Sequence, residues 1–225
     1  MKRSEINRCL KEAAAAFEAA GFRLPPFASI PAEVWASLGH EYDEIRRNML
    51  GWDITDFGRG KFQEEGLLLF TVRNGDVNDP ASKTYAEKLM LVREGQITPM
   101  HFHWKKMEDI INRGGGNLLV QVYLSDENER LSEADVPVMR DGVRSVVRAG
   151  TVLRLTPGES ITMQRGLYHS FWGEPGCGSV VVGEVSMVND DVHDNRFLVP
   201  AGRFPAVEED EAPWRLLCQE YPPAP

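Results

Sequence analysis

The chain predicts an all-β core, a small barrel or sandwich, behind a helical front segment. Two observations predict the core. From Gly51 onward, short apolar runs follow one another: LLLFTVRNGD, KLMLVREGQITPMHFH, NLLVQVYLSD, VRSVVRAGTVLRLTPGES and SVVVGEVSMVND. Turn dipeptides punctuate them, among them Asn74-Gly75, Asp141-Gly142 and Pro157-Gly158. Many short strands separated by such turns indicate a sandwich or barrel. The third observation excludes the main alternative: the sequence shows neither a β-helix-β alternation nor a phosphate-binding glycine loop.

The elements follow in order. Residues 4–20 read as an amphipathic helix, with Ser4 as N-cap and Ile6, Leu10, Ala14 and Phe17 at helical spacing. Gly21 is placed to end it. Leu24-Pro25-Pro26-Phe27 reads as an extended linker. Pro31 opens a second short helix closed by Gly39, and a third covers Tyr42 to Met49. Residues 1–50 are therefore expected as a helical segment packed on a β core of residues 51–200. Residues 201–225 are Pro-rich and carry the acidic run Glu208 to Glu211. They are expected as a C-terminal arm lying over the surface or ending in disorder.

Composition narrows the class. A chain of 225 residues, 42% hydrophobic and 26% charged, can bury the core of one globular unit. Its net charge of −9 and the absence of any Lys/Arg block argue against nucleic acid and anionic membranes as partners. No apolar run approaches the roughly 18 residues of a membrane span. Glu5, Lys11, Glu12 and Glu18 interrupt the N-terminus, which is not of signal-peptide type, so a cytoplasmic location is expected. Cys9, Cys177 and Cys218 are odd in number and scattered, as reduced thiols are, and none forms a C-x-x-C pair.

The most informative stretch is Gly95 to Gly115, which reads G-x5-H-x-H-x4-E-x6-G. Side chains alternate faces along a strand, so His101 and His103 point the same way. Two imidazoles followed by the Glu108 carboxylate after a turn make most of a divalent metal site. A histidine pair alone is a weak signal. The carboxylate and the two glycines at fixed offsets make it specific.

A metal so held needs further ligands. His169 lies in GESITMQRGLYHSFWG, which reads G-x5-Q-x-G-x2-H-x3-G. That stretch resembles the second motif of the cupin family, with Gln164 where a proline and Gly173 where an asparagine usually stands. The Gly95 stretch is similar to the first cupin motif at every defined position. The resemblance implies a cupin small β-barrel or jelly roll, with His169 joining His101, His103 and Glu108 as metal ligands. Mixed N/O ligation without thiolate suits Mn, Fe, Co, Ni or Zn. His40 and His193 lack such a context and read as ordinary.

Longer strings carry a closer likeness. MKRSEIN, LPPFA, QITPMHFHWKKMEDIINRGGGNLLV and EVSMVNDDVHDNRF closely resemble the D-lyxose isomerases, metal-dependent bacterial sugar isomerases of the cupin superfamily. The resemblance implies interconversion of D-lyxose and D-xylulose, with D-mannose and D-fructose as a second pair. It also implies Mn2+ as the usual ion, with Co2+, Fe2+, Zn2+ and Ni2+ as alternatives, and a homodimer.

The residues suit that reaction independently. Moving a proton between C1 and C2 of an open-chain sugar needs a base, and a cation or donor for the developing oxyanion. Glu184, an ionisable residue in the buried-looking strand VVVGEVSMV, is the candidate base. Lys88 shares parity with Met90 and Val92 and is the candidate donor or proton shuttle if that face is inward. Lys105 either reaches the pocket mouth or is solvated. Asp191 and Arg196 either bind sugar hydroxyls or pair with one another. Phe171 and Trp172 either wall the sugar or pack. A cupin Fe(II) oxygenase and a non-catalytic sugar-binding cupin are the competing readings of the same ligand set.

Overall fold

The computed structural model describes residues 1–191 and 193–225. Its front segment is helical. Helix α1 runs Arg3–Ala19 and buries Ile6, Leu10, Ala13 and Phe17 along one face. Gly21 takes φ +77 just beyond its end, the left-handed conformation that closes a helix at glycine. The start differs from expectation. The N-cap position is Lys2, without a side-chain cap. Ser4 instead gives both its amide and its hydroxyl to Asp210, 206 residues away. Arg3 binds Glu209 through two hydrogen bonds of 2.8 and 2.6 Å and also reaches Glu220. The acidic run is exposed, yet it is tied to the start of α1. It supplies the negative charge that a helix N-terminus favours.

The other predicted helices are tighter and shorter. Ala32–Ser37 and His40–Tyr42 are 3₁₀ turns, as is Pro26–Ser29 where an extended linker was expected, and α2 covers Asp43–Arg47 alone. Segments this short cannot sustain the costly α nucleus, and prolines stand at the starts of Pro26–Ser29 and Ala32–Ser37.

The strands are β1 (Gly51–Thr55), β2 (Leu67–Arg73), β3 (Tyr85–Val92), β4 (Thr98–Phe102), β5 (Glu108–Gly115), β6 (Leu118–Leu124) and β7 (Val136–Arg140). They continue with β8 (Val143–Val147), β9 (Val152–Leu155), β10 (Ser160–Met163), β11 (Leu167–Gly173), β12 (Val180–Met187) and β13 (Arg196–Phe197). They form an eight-stranded sheet, β1-β2-β3-β12-β5-β10-β7-β8, and a five-stranded sheet, β13-β4-β11-β6-β9. The sheets do not close into a barrel. Of the two expected forms, the double-sheet jelly-roll type is the one adopted. The chain crosses between sheets through turns such as that from Phe102 to Glu108, without a ladder there.

Two cores result. Met90, Leu118, Val120, Val122, Ile161, Val180 and Val182 fill the space between the sheets. On the outer side of the large sheet, Ile6, Leu10 and Phe17 of α1 pack with Trp52, Phe70, Leu89 and Leu217. Each such fully buried side chain contributes about 1.5–3 kcal/mol of apolar burial. Among the described residues, no helix is long and apolar enough to cross a membrane.

Candidate metal centre and active site

The ladder between β4 and β11 sets His101 directly opposite His169. His103 lies two residues beyond His101, and Glu108 opens β5 on the facing sheet. The ring atoms of His101, His103 and His169 able to hold a metal lie within 4.8 Å of one another. Glu108 Oε1 stands 3.4 Å from His103 Nε2 and 3.3 Å from His169 Nε2. Each Nδ1 is hydrogen-bonded to a backbone carbonyl: His101 to Pro99 and His103 to Asp194, both at 2.8 Å, and His169 to Leu167 at 3.0 Å. With Nδ1–H donating, the Nε2 lone pairs are left facing the common centre. His103 Nε2 and His169 Nε2 are buried without a hydrogen-bond partner. Burial and the neighbouring rings push His101 well below the ordinary histidine value, so it is neutral. Three imidazoles, two of them with orphaned nitrogens, and one carboxylate fit a divalent metal.

The backbone explains two of the motif glycines. Gly115 takes φ +85, and a Cβ there would collide with the Ser179 carbonyl. Gly173, the departure from asparagine, exchanges hydrogen bonds with Arg93 and Gly95. A Cβ there would lie 2.7 Å from the Arg93 oxygen, so the two motifs meet where glycine alone fits.

A chain of alternating charges leads away from the cluster. Lys106 Nζ lies 2.6 Å from Glu108 Oε2, off the hydrogen-bond direction, and 3.0 Å from Glu184 Oε1. Lys88 Nζ lies 3.4 Å from the same Glu184 oxygen and 3.5 Å from Asp191 Oδ1. Arg203 joins Asp191, at 2.9 Å, to Asp53. Asn189 Oδ1 accepts from both lysines, at 2.7 and 3.0 Å. Alternation pairs each charge that burial would otherwise leave uncompensated. Burial opposes the charge on Lys106, but Glu108, Glu184 and Asp191 outweigh it and hold the amine protonated. Burial likewise opposes the charge on Glu108, yet Lys106 and His103 keep that carboxyl well below the usual range. At the far end burial prevails over Arg203 and raises Asp53.

Glu184, Lys88, Phe171 and Asp191 line one cavity with His101, His103 and Glu108. Glu184 and Lys88 are register partners on β12 and β3, which places both side chains on the inner face. The surroundings of Glu184 are charged rather than apolar. Phe57 also lines this cavity, held at φ +52, a strained conformation for a bulky side chain.

Three of the residues singled out in the sequence, Lys105, Arg196 and Trp172, lie away from this cavity. Lys105 is exposed, and Lys106 faces the cavity instead. Asp194 accepts the amides of both residues and turns the chain, so that Lys106 shares the inward side with Glu108. Arg196 binds Glu129 at 2.7 Å, outside the cavity, and does not pair with Asp191. The β13–β4 register is the reason: Arg196 stands opposite Phe102, whereas Phe197 stands opposite His101. Phe197 therefore takes the inward place and stacks on His101 at 5.3 Å. Trp172 faces a separate outer groove with Met100 and Leu198. His40 and His193 are exposed and bound to Asp43 and Asp190.

Lys106, Arg203 and Asp53 were not singled out in the sequence. Asp53 carried the same signal as Glu184, a carboxylate within an apolar strand, GWDIT. Lys106 lies in a turn, where parity along the chain marks nothing, and Arg203 was likewise marked by nothing local.

The fold and the site together define a cupin-type sandwich with a three-histidine, one-carboxylate centre. Comparison with known proteins supplies the rest. The family model described as D-lyxose isomerase matches residues 1–221. The chain is 52% identical over 223 residues to a D-lyxose/D-mannose isomerase of Escherichia coli O157:H7, covering 98% of each chain. It is equally similar to one of Serratia proteamaculans, 52% over 223 residues with the same coverage. In fold it resembles an L-ribose isomerase of Acinetobacter sp. DL28, with a TM-score of 0.64 over 92% of this chain and 98% of that one, at 20% identity. The chain belongs to the D-lyxose isomerase family and is an aldose–ketose sugar isomerase.

Proposed function

We propose that the protein interconverts D-lyxose and D-xylulose, and D-mannose and D-fructose, by metal-dependent proton transfer between C1 and C2. The observation that carries this reading is the Glu184 carboxylate, 95% buried between two ammonium groups beside the imidazole cluster. The two bacterial relatives named for lyxose and mannose support the choice of sugars.

His101, His103, His169 and Glu108 would hold the ion, with Mn2+ the first choice by family resemblance and Co2+, Fe2+, Zn2+ and Ni2+ the alternatives. When bound, it supplies Lewis-acid polarisation of the sugar's carbonyl and hydroxyl oxygens. Glu184 removes the C2 proton of the open-chain aldose and returns it to C1 of the enediol, while the hydroxyl proton passes from O2 to O1. Lys88 and Lys106 set fixed positive charge where negative charge develops on the enediol oxygens. Phe171 and Phe197 wall the reacting carbons from water. Asp191 is positioned to accept from a sugar hydroxyl at the end of the charge chain. A cytoplasmic homodimer completes the reading.

The test is turnover by metal-stripped and reconstituted protein against a panel of aldoses in D₂O, with and without oxygen. D-lyxose is converted to D-xylulose with Mn2+, chelation abolishes conversion, and solvent deuterium enters at C1. Absence of conversion of lyxose, mannose and xylulose at full metal occupancy overturns the reading. Consumption of oxygen in its place identifies the Fe(II) oxygenase.

A further inference from the structure

The cavity at the metal centre has a neighbour. The first cavity, about 70 Å³, is lined on its sheet side by Leu67, Leu69 and Met90. The second, about 350 Å³, shares Asp191 and Arg203 with it. The inner face of β2 runs through both: Leu67 and Leu69 line the first, and Thr71, two residues on, lines the second. Thr71 stands opposite Lys88, which stands opposite Glu184, so one cross-strand row joins the second cavity to the proposed base.

The lining changes character beyond Arg203. There it is formed by Asn48, Asp53, Thr71 and Asn74. Asn48 Oδ1 and Asp53 Oδ1 are buried acceptors without a hydrogen-bond partner, on residues 5% and 1% exposed. Asp53 has Arg203 on its other oxygen and the Cys218 thiol nearby. Buried acceptors left unpaired are destabilising, so they mark where donors arrive. Hydroxyl groups of a ligand meet that need, and the Arg203 guanidinium, with five N–H groups, meets their oxygens at the boundary.

We propose that the second cavity is the subsite for the hydroxyl-bearing carbons at the far end of the sugar, and that it sets the chain length accepted. The inference rests on the isomerase reading: with C1 and C2 at Glu184, a polar path for the remaining carbons runs past Asp191 and Arg203. D-lyxose and D-mannose share configuration from C1 to C4 and differ by one CHOH carbon. Their comparison therefore reads the far end of the site and not the chemistry.

The experiment uses metal-loaded Thr71→Leu, which puts a larger apolar side chain into the second cavity and replaces no member of the charge chain. The ratio of kcat/KM for lyxose over mannose rises by about tenfold or more. Thr71→Val, which keeps the volume and removes only the hydroxyl, moves the ratio the same way by about threefold and guards against misfolding of the larger variant. Calorimetric binding of D-arabinitol and D-mannitol, the alcohols of the two sugars, reads the subsite independently of turnover. Selective loss of mannitol binding in Thr71→Leu upholds the subsite even if the wild type isomerises neither sugar, an outcome in which the isomerase reading alone fails. Unchanged lyxose/mannose and arabinitol/mannitol ratios in both variants overturn the subsite.

Discussion

Glu184 faces Lys88 across the β12–β3 ladder, and a single carboxylate oxygen lies 3.4 Å from that ammonium and 3.0 Å from the ammonium of Lys106. Both contacts fall on the same oxygen of the carboxylate. Glu184→Gln keeps the shape and removes the basicity. Turnover falls by roughly 10²-fold or more, the scale of a lost general base. Metal content and circular dichroism stay at wild-type values. Near-normal kcat in this variant sinks the assignment.

The orphaned imidazole nitrogens predict that a bound divalent ion stabilises the fold. At an ion concentration 100 times Kd the gain is about 2.7 kcal/mol, read as a rise in Tm. His169→Ala abolishes most of that rise and lowers bound metal measured by elemental analysis. A variant that keeps the full Tm response removes His169 from the ligand set.

Lys106 is 97% buried and stands between Glu108 and Glu184. Lys106→Met leaves two carboxylates facing one another without it. Breaking a buried pair in this way costs about 3–5 kcal/mol, seen as a lower urea midpoint at unchanged slope. The loss is smaller with metal bound, since Glu108 then has another cation. Equal losses with and without metal count against that account.

The α1 start is held by carboxylates, so it responds to acid. Hydrogen bonds from Arg3 keep Glu209 below its ordinary value of 4.5, and those from Ser4 keep Asp210 below 3.8. A depressed carboxyl stabilises the fold fully above its unfolded value and loses that contribution as pH falls through its folded value. The C-terminal arm therefore loosens below about pH 4.5, monitored by the fluorescence of Trp214, whose amide donates to Asn7 of α1. Asp210→Asn is less stable at pH 7 and shows a flatter acid response. An acid profile identical to wild type refutes the role of Asp210.

Much of this was legible in the chain. The period of the apolar runs marked the β core, Gly21 closed α1, and the two motifs picked out His101, His103, Glu108 and His169, which the fold brings together. Glu184 and Lys88 were readable because a charge inside an apolar strand is conspicuous. The errors arose where the local pattern was silent. Parity along a turn is undefined, so the choice between Lys105 and Lys106 awaited the two amide bonds to Asp194. A two-residue strand such as β13 has no readable period, so Arg196 and Phe197 were sorted by pairing with β4.

Residue type and short spacing sufficed for the class of fold, the family and the cluster of His101, His103, His169 and Glu108. Tertiary structure alone decided that the sheets stay open, that Asp210 caps α1, and that Arg203 and Asp53 end the charge chain from Glu108. The physical reason is range. Asp53 and Arg203 meet across 150 residues, and contacts so distant in sequence are set by strand register and loop path, which no local pattern encodes.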